Sequence, residues 1–361
     1  MSTQYWPEGV GVLGAGGEGL ALAAHLAAHG ESVHLCTRDP AKIAGIHQRR
    51  SIRARGVLEG RLPLATVGND PGELARRCPT LFVATVTTAY PEVAARLAPY
   101  LNSGHTVVLF SGKLCGSIEF AHVLARNGHT GADILETDAL FAARPWEDHG
   151  VTIHGVKKWN LFAGTHSAVT KRHADRLQCL FPGLQPGRNV IQRGLTDFGA
   201  VAHPSIALAN ISRIDRGEKL LFYREGLSKR TAVLLEQVAL EFRQVGEAYD
   251  APVPTLAEIL DLYYGCEGDT ALDAMRTVTP YRTITAPTSL DHRFLHEDVS
   301  STLVPMTELA RKAGHATPMT DALIAFASTL SRQDYRSSGR TLTSLGWDRL
   351  THAEIRDVLN R

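Results

Sequence analysis

The stretch Val10–Pro40, VGVLGAGGEGLALAAHLAAHGESVHLCTRDP, decides the fold. Val10, Val12 and Leu13 are short-strand material, Gly14, Gly16 and Gly19 follow as G-x-G-x-x-G, and Leu20, Ala23, Ala24 and Ala27 then recur at helical spacing. Gly30 predicts the end of that helix, and the apolar SVHLC after it predicts a second strand. Each glycine answers a separate demand. Gly14 permits the tight turn, Gly16 lets backbone approach a pyrophosphate, and Gly19 lets the helix lie against the strand, while the first helical N–H groups face the phosphates. Ala15 and Gly17 complete the same turn. Strand, glycine turn, helix and strand in this order predict a dinucleotide site; the alternative is a glycine-rich turn that binds nothing. Glu18 places a negative charge in the turn and has to point away from a pyrophosphate.

Where the second strand ends, an Asp or Glu would accept hydrogen bonds from the adenosine ribose and repel a 2′-phosphate. Thr37 stands there instead, with Arg38 beside it. A guanidinium pairs with phosphate through charge-assisted bonds, which favours NADP over NAD, although Asp39 could still reach the ribose and Arg38 could be a solvated surface residue.

The rest of the chain limits the alternatives. Its 361 residues exceed a comfortable single core, so two domains are expected. The 38 basic and 37 acidic residues nearly balance, which argues against nucleic acid or a membrane surface as partner and for a small molecule. Five cysteines without C-x-x-C spacing argue against a disulfide framework and a structural zinc site. The opening MSTQYWPEG lacks a basic region followed by an apolar run, and no later segment approaches a membrane span, so a cytoplasmic protein is expected.

Thr80–Ala89 and Thr106–Gly116 read as further strands around the helical YPEVAARLAPYL, and DILETDALFAARP and NLFAGTHSAV as strand segments after them. Strands separated by helices imply a parallel sheet. The turn-rich FPGLQPGRN, Phe181–Asn189, marks a boundary. Beyond it Ser228 caps a long amphipathic helix, Thr351 and Glu354 form a capping box, and Thr317-Pro318 opens another helix. The expected class is α/β: a Rossmann-type dinucleotide-binding domain, residues 1–186, followed by an all-α C-terminal domain, residues 187–361, with the cleft between them as the expected active site.

Two patterns in the helical half carry chemistry. In AVAHPSIALANISRID, His203 precedes a proline inside an apolar helix; in SLDHRFLHEDV, Arg293 and Asp298 stand near one another with His292 and His296 between or before them. Taken alone, a histidine is more often structural and an Arg–Asp pair is usually a salt bridge.

With these stretches in place, the chain resembles the opine dehydrogenases, the octopine/nopaline dehydrogenase family, across nearly its whole length. The resemblance rests on GAGGEG, ETDALFAAR, VAHPSIALANISRID, LLFYREG, APTSLDHRFLHEDV, LVPMTELARKAGHATP and GRTLTSLG. It implies a catalytic dyad of His203 and Asp298, with Arg293 holding a substrate carboxylate and Asn210 lining the same cleft. It also implies the reaction: an amino acid and a 2-oxo acid condense to an imine, which NAD(P)H reduces to a secondary amine, with a homodimer as the assembly to test. Lys113 stands where relatives often carry a neutral residue such as glutamine, and is read as binding a second carboxylate or lying on the surface. Phe294, Leu295 and His296 also depart from the usual pattern. The alternatives are a reductase of the glycerol-3-phosphate dehydrogenase or ketopantoate reductase kind, acting on a carbonyl or preformed imine, and a nonenzymatic NADP sensor.

Overall fold

The computed structural model describes residues 6–129, 131–146 and 150–361; the first five residues of the opening nonapeptide lie outside them. The chain forms two compact units, Met1–Gly112 with Gly116–Pro186, and Lys113–Cys115 with Gly187–Arg361.

In the first unit the strands run in chain order as β1 (Val10–Leu13), β2 (Val33–Cys36), β3 (Ser51–Gly56), β4 (Gly60–Pro63), β5 (Thr66–Gly68), β6 (Thr80–Val83), β7 (Thr106–Phe110), β8 (Asp133–Thr137), β9 (Phe141–Trp146), β10 (Gly150–Val156), β11 (Asn160–Gly164) and β12 (Leu184–Pro186). The main sheet has the order β12-β11-β8-β7-β6-β1-β2-β5. At β1 the order reverses: Val10 pairs in parallel with Val33 on one side and Thr80 on the other. Open α/β sheets bind ligands beyond the strand ends at such a reversal, and Gly14 begins there. All four residues of β1 and of β6 are buried, as strands covered on both faces require. The helix α1 (Gly17–Ala28) covers one face with Leu20, Leu22 and Leu26.

The expectations about the strands need correction. The apolar run from Thr80 does not continue as strand to Ala89: it leaves the sheet after Val83, where Ala84 N–H donates to the Leu13 carbonyl, and Thr87–Ala89 is a 3-10 turn. β7 likewise stops at Phe110, with a helix beginning at Gly116. The main sheet is not wholly parallel, because β11 returns antiparallel to β8. A second sheet, β4-β3-β10-β9, went unread. It joins Ser51–Pro63 to Phe141–Val156 and packs on α1. The signal was present in Gly56 and Gly60, which turn the β3–β4 hairpin at positive φ of 103° and 139°.

The second unit is helical. Ser228 accepts from Thr231 N–H to cap Lys229–Ala248, Pro318–Ser331 follows Thr317, and Thr351 with Glu354 forms the capping box of His352–Asn360. A π-turn, Val299–Leu303, follows Asp298 directly. Such turns shift the hydrogen-bond ladder and release carbonyls to outside donors. Here Ser301 O accepts from Leu114 N–H at 3.1 Å and from Arg340 at 3.2 Å. Among the described residues no helix is long and apolar enough to cross a membrane.

Candidate active site

The glycine turn has the close contacts that its sequence pattern demands. Gly14 has φ 121°, and a Cβ there would lie 2.3 Å from the Ala84 carbonyl oxygen. A Cβ on Gly19 would lie 2.1 Å from the Gly14 oxygen, so the helix could not approach the strand with any larger residue. Gly17 meets the Ala143 carbonyl in the same way, at 2.6 Å. Gly16 faces open space and caps α1 without a side-chain hydrogen bond. Ala15 packs partly buried against the core. The first-turn N–H groups of a twelve-residue helix are thereby left for an anionic group, and the residues present fit the pyrophosphate of a dinucleotide. Glu18 turns inward, and its Oε1 accepts from Leu140 N–H at 2.8 Å and Phe141 N–H at 3.2 Å. Burial outweighs those two donors and the nearby Lys157, pushing the carboxyl up to about 7.

Beyond β2, Thr37 N–H donates to the Gly68 carbonyl, and the Arg38 side chain is exposed with no acidic partner among the described residues. Asp39 is committed locally: its carboxylate accepts from Ala41 N–H and lies 3.9 Å from Lys42.

The side chains expected to carry acid–base chemistry lie in the second unit. Asp197 caps the helix Phe198–Ala209, accepting from Gly199 N–H at 2.9 Å and Ala200 N–H at 3.3 Å. His203 lies six residues after Asp197, with its ring folded back so closely that a Cβ on Gly199 would stand 2.8 Å from Cε1. Pro204 lacks the N–H that would bond the carbonyl four residues back, which loosens the helix at this point. His203 Nδ1 lies 2.8 Å from Asp298 Oδ2. An ionised carboxylate only accepts, so Nδ1 donates to it; whenever the ring is neutral, Nε2 accepts from the Tyr223 hydroxyl, which lies 2.8 Å away. Two stacks fix these rings: Phe294 on His203 and Tyr281 on Tyr223, each with centroids 4.0 Å apart at 15°.

Burial alone would raise the Asp298 carboxyl; Lys113, and then His203, outweigh it and hold it at about 2. Lys113 is buried, with Nζ 2.6 Å from Asp298 Oδ1 and 2.7 Å from Asp197 Oδ2. The surface alternative for this lysine is therefore wrong, and its ammonium faces two carboxylates of the protein itself. Arg293 starts the short helix that ends at Asp298; its side chain is 67% exposed, 4.0 Å from Glu297, with the guanidinium 5.9 Å from the Phe294 ring centre. Asn210 gives both amide hydrogens to backbone, the carbonyls of Ile206 and Gly226, each at 2.8 Å. It thereby clamps the turn that presents Tyr223. His296 bridges Asp291 and the Tyr335 hydroxyl.

Sequence reasoning missed Asp197, Tyr223 and Phe294 as parts of this cluster. Asp197 had a signal, as an N-cap candidate six residues before His203. Tyr223 had none beyond its place in LLFYREG.

One unit carries a glycine turn of the dinucleotide-binding pattern, and the other a part-buried His203 hydrogen-bonded to the buried Asp298, residue types suited to an oxidoreductase that uses a nicotinamide cofactor and protein acid–base groups. The family model for "NAD/NADP octopine/nopaline dehydrogenase, alpha-helical domain" matches residues 186–331, and that for "Ketopantoate reductase PanE/ApbA" matches residues 10–111. An opine dehydrogenase of Arthrobacter sp. (strain 1C) is 32% identical over 350 residues, covering 96% of this chain and 98% of that protein. Octopine dehydrogenase solved with NADH and L-arginine superposes with a TM-score of 0.79 at 17% identity, covering 98% of each chain. Yersinopine dehydrogenase with NADP+ bound gives 0.74 at 15% identity, covering 97% of each chain. The chain belongs to the opine dehydrogenase family and is an NAD(P)-dependent oxidoreductase acting on CH–NH and C=N bonds.

Proposed function

We propose that the protein joins the amino group of an amino acid to a 2-oxo acid through an imine and reduces it to an N-(carboxyalkyl)amino acid, with NADPH preferred over NADH. The observation that carries the acid–base assignment is the His203–Asp298 hydrogen bond of 2.8 Å, made by a carboxylate held ionised although buried. Gly14, Ala15, Gly16, Gly17 and Gly19 hold the dinucleotide, which when bound supplies the hydride. Thr37 leaves room for a 2′-phosphate, and the exposed Arg38 pairs with it.

Condensation of an amine with a carbonyl passes through a carbinolamine, which must lose water; the carbonyl oxygen takes up a proton as it leaves. His203 transfers protons through Nε2, the ring nitrogen away from Asp298. Asp298 fixes the tautomer and orientation and stabilises the imidazolium when it forms. The Tyr223 hydroxyl, already on Nε2, either passes that proton on or gives up its place to the substrate oxygen. Arg293, exposed beside the Phe294–His203 stack, holds the 2-oxo acid carboxylate in a bidentate pair.

A panel of 2-oxo acids crossed with amino acids, run with NADPH and NADH in parallel, tests the reading. Cofactor oxidation should need both organic substrates. Oxidation with a 2-oxo acid alone would favour a carbonyl reductase, and tight NADPH binding without turnover by any pair would favour a sensor.

A further inference from the structure

Lys113 has more structure invested in it than a ligand-binding surface residue would need. Its backbone lies at φ 55°, flanked by Ser111 at 90° and Cys115 at 62°, three left-handed conformations in non-glycine residues within five positions. Such backbone persists only where the surroundings hold it. Leu114 N–H donates to Ser301 O at 3.1 Å, and Arg340 Nη1 donates to Leu114 O at 2.9 Å and to Ser301 O at 3.2 Å. Ser301 belongs to the π-turn that starts at the residue after Asp298. The same local irregularity therefore ends the Asp298 helix and anchors the lysine backbone beside it.

The side chain completes the arrangement. Asp197, Lys113 and Asp298 have side chains only 3%, 9% and 3% exposed, and the ammonium lies within 2.7 Å of both carboxylates. Three buried charges in contact give a net charge of one negative, which a protonated His203 would cancel. Without the lysine, the two buried carboxylates would lose the cation they share.

We propose that Lys113 is a positioning residue, an internal counter-ion shared by Asp197 and Asp298 that sets how strongly Asp298 draws on His203 and ties the entrance of the His203 helix to the Asp298 helix. It acts through Asp298 and does not hold a substrate carboxylate. The proposal rests on the His203–Asp298 assignment given above. The charged and titratable groups around His203 are Asp298, Arg293 and His292 from the Asp298 segment, Tyr223 from its turn, Lys113 from its own segment and Asp197 at the start of the His203 helix.

Opposite changes on the two sides of the lysine should act in opposite directions. Lys113→Gln removes the cation and leaves both carboxylates, so the dyad binds its proton more tightly. Asp197→Asn keeps the helix cap, since an amide oxygen also accepts from Gly199 N–H, and leaves the whole ammonium to Asp298, so the dyad binds its proton less tightly. The test is an NMR titration of the His203 ring in the full-length, cofactor-free protein, assigned with His203→Gln. Relative to the unmodified chain, the midpoint should rise by about one pH unit in Lys113→Gln and fall in Asp197→Asn. Steady-state kinetics with pyruvate, NADPH and the best amino acid found should show kcat reduced in Lys113→Gln with the KM for pyruvate unchanged within twofold, and partial recovery in Lys113→Arg.

Midpoints that stay put, or that move in the same direction in both variants, overturn the proposal, as does a tenfold rise in the pyruvate KM with an unmoved titration. If Lys113→Gln does not fold, the downward shift in Asp197→Asn alone decides. The titration needs no substrate, so opposite shifts in a chain that turns over no substrate pair would refute the proposed reaction and leave the lysine's role standing.

Discussion

Glu18 should make the first unit less stable as pH rises, and its replacement by glutamine should abolish the effect. The carboxyl lies at about 7 against an ordinary 4.5, because burial outweighs two backbone donors and Lys157. Between these values the folded chain holds a proton that the unfolded chain has released, so stability falls as pH rises through the window and levels off above it. Each pH unit of displacement is worth about 1.4 kcal/mol, which gives about 3 kcal/mol in all; the residue keeps some contact with water, which brings the expectation to about 2 kcal/mol. Glu18→Gln keeps an oxygen to accept from Leu140 and Phe141 N–H but has no charge to bury. Urea unfolding of both proteins at pH 4.5 and pH 8, followed by tryptophan fluorescence, should show nearly equal stability at the lower pH and a variant more stable by about 2 kcal/mol at the higher. A variant no better at pH 8 than at pH 4.5, relative to the parent, would refute the claim that burial dominates at Glu18.

The other predictions concern the reaction. His203→Ala should lower kcat by roughly a hundredfold or more while leaving NADPH affinity nearly unchanged, measured by turnover and by cofactor fluorescence; equal loss of both would mark the histidine as structural. Tyr223→Phe should cost roughly tenfold in kcat with cofactor affinity intact, and an unaffected kcat would remove the hydroxyl from the proton path. Arg38→Ala should raise the KM for NADPH about tenfold and leave that for NADH alone, whereas equal changes would exclude a 2′-phosphate contact. Gly19→Ala, whose methyl would stand 2.1 Å from the Gly14 oxygen, should abolish NADPH binding in a fluorescence titration; normal binding would show that the helix can retreat without harm to the turn.

What the sequence revealed follows how local each signal was. The glycine turn, the helix caps at Ser228 and Thr351, and the histidine before Pro204 are decided by a few neighbouring residues, and each could be read from its own stretch. The early end of the strand at Val83 was not, because an apolar β-branched run continues past the point where the sheet reverses. The second sheet was hidden by distance: β3 pairs with β10 some hundred residues later, and SIRARG carries too much charge to read as a buried strand. Lys113 shows the limit most clearly. No spacing rule links it to Asp197 and Asp298, since a π-turn and a left-handed backbone bring the three together. Asn210 was a polar residue at helical spacing from His203, and only the structure shows both its amide hydrogens on carbonyls, one of them in the Tyr223 turn.

On the proposed function, His203, held by Asp298, serves the reduction of an imine formed from two separate substrates. Its most direct test is mass spectrometry of the product made from pyruvate, the best amino acid and cofactor deuterated at the transferred position. One secondary amine carrying the carbons of both substrates and one deuterium on the former carbonyl carbon should form with the parent chain and be lost with His203→Ala. Deuterated lactate with the amino acid left untouched would contradict it.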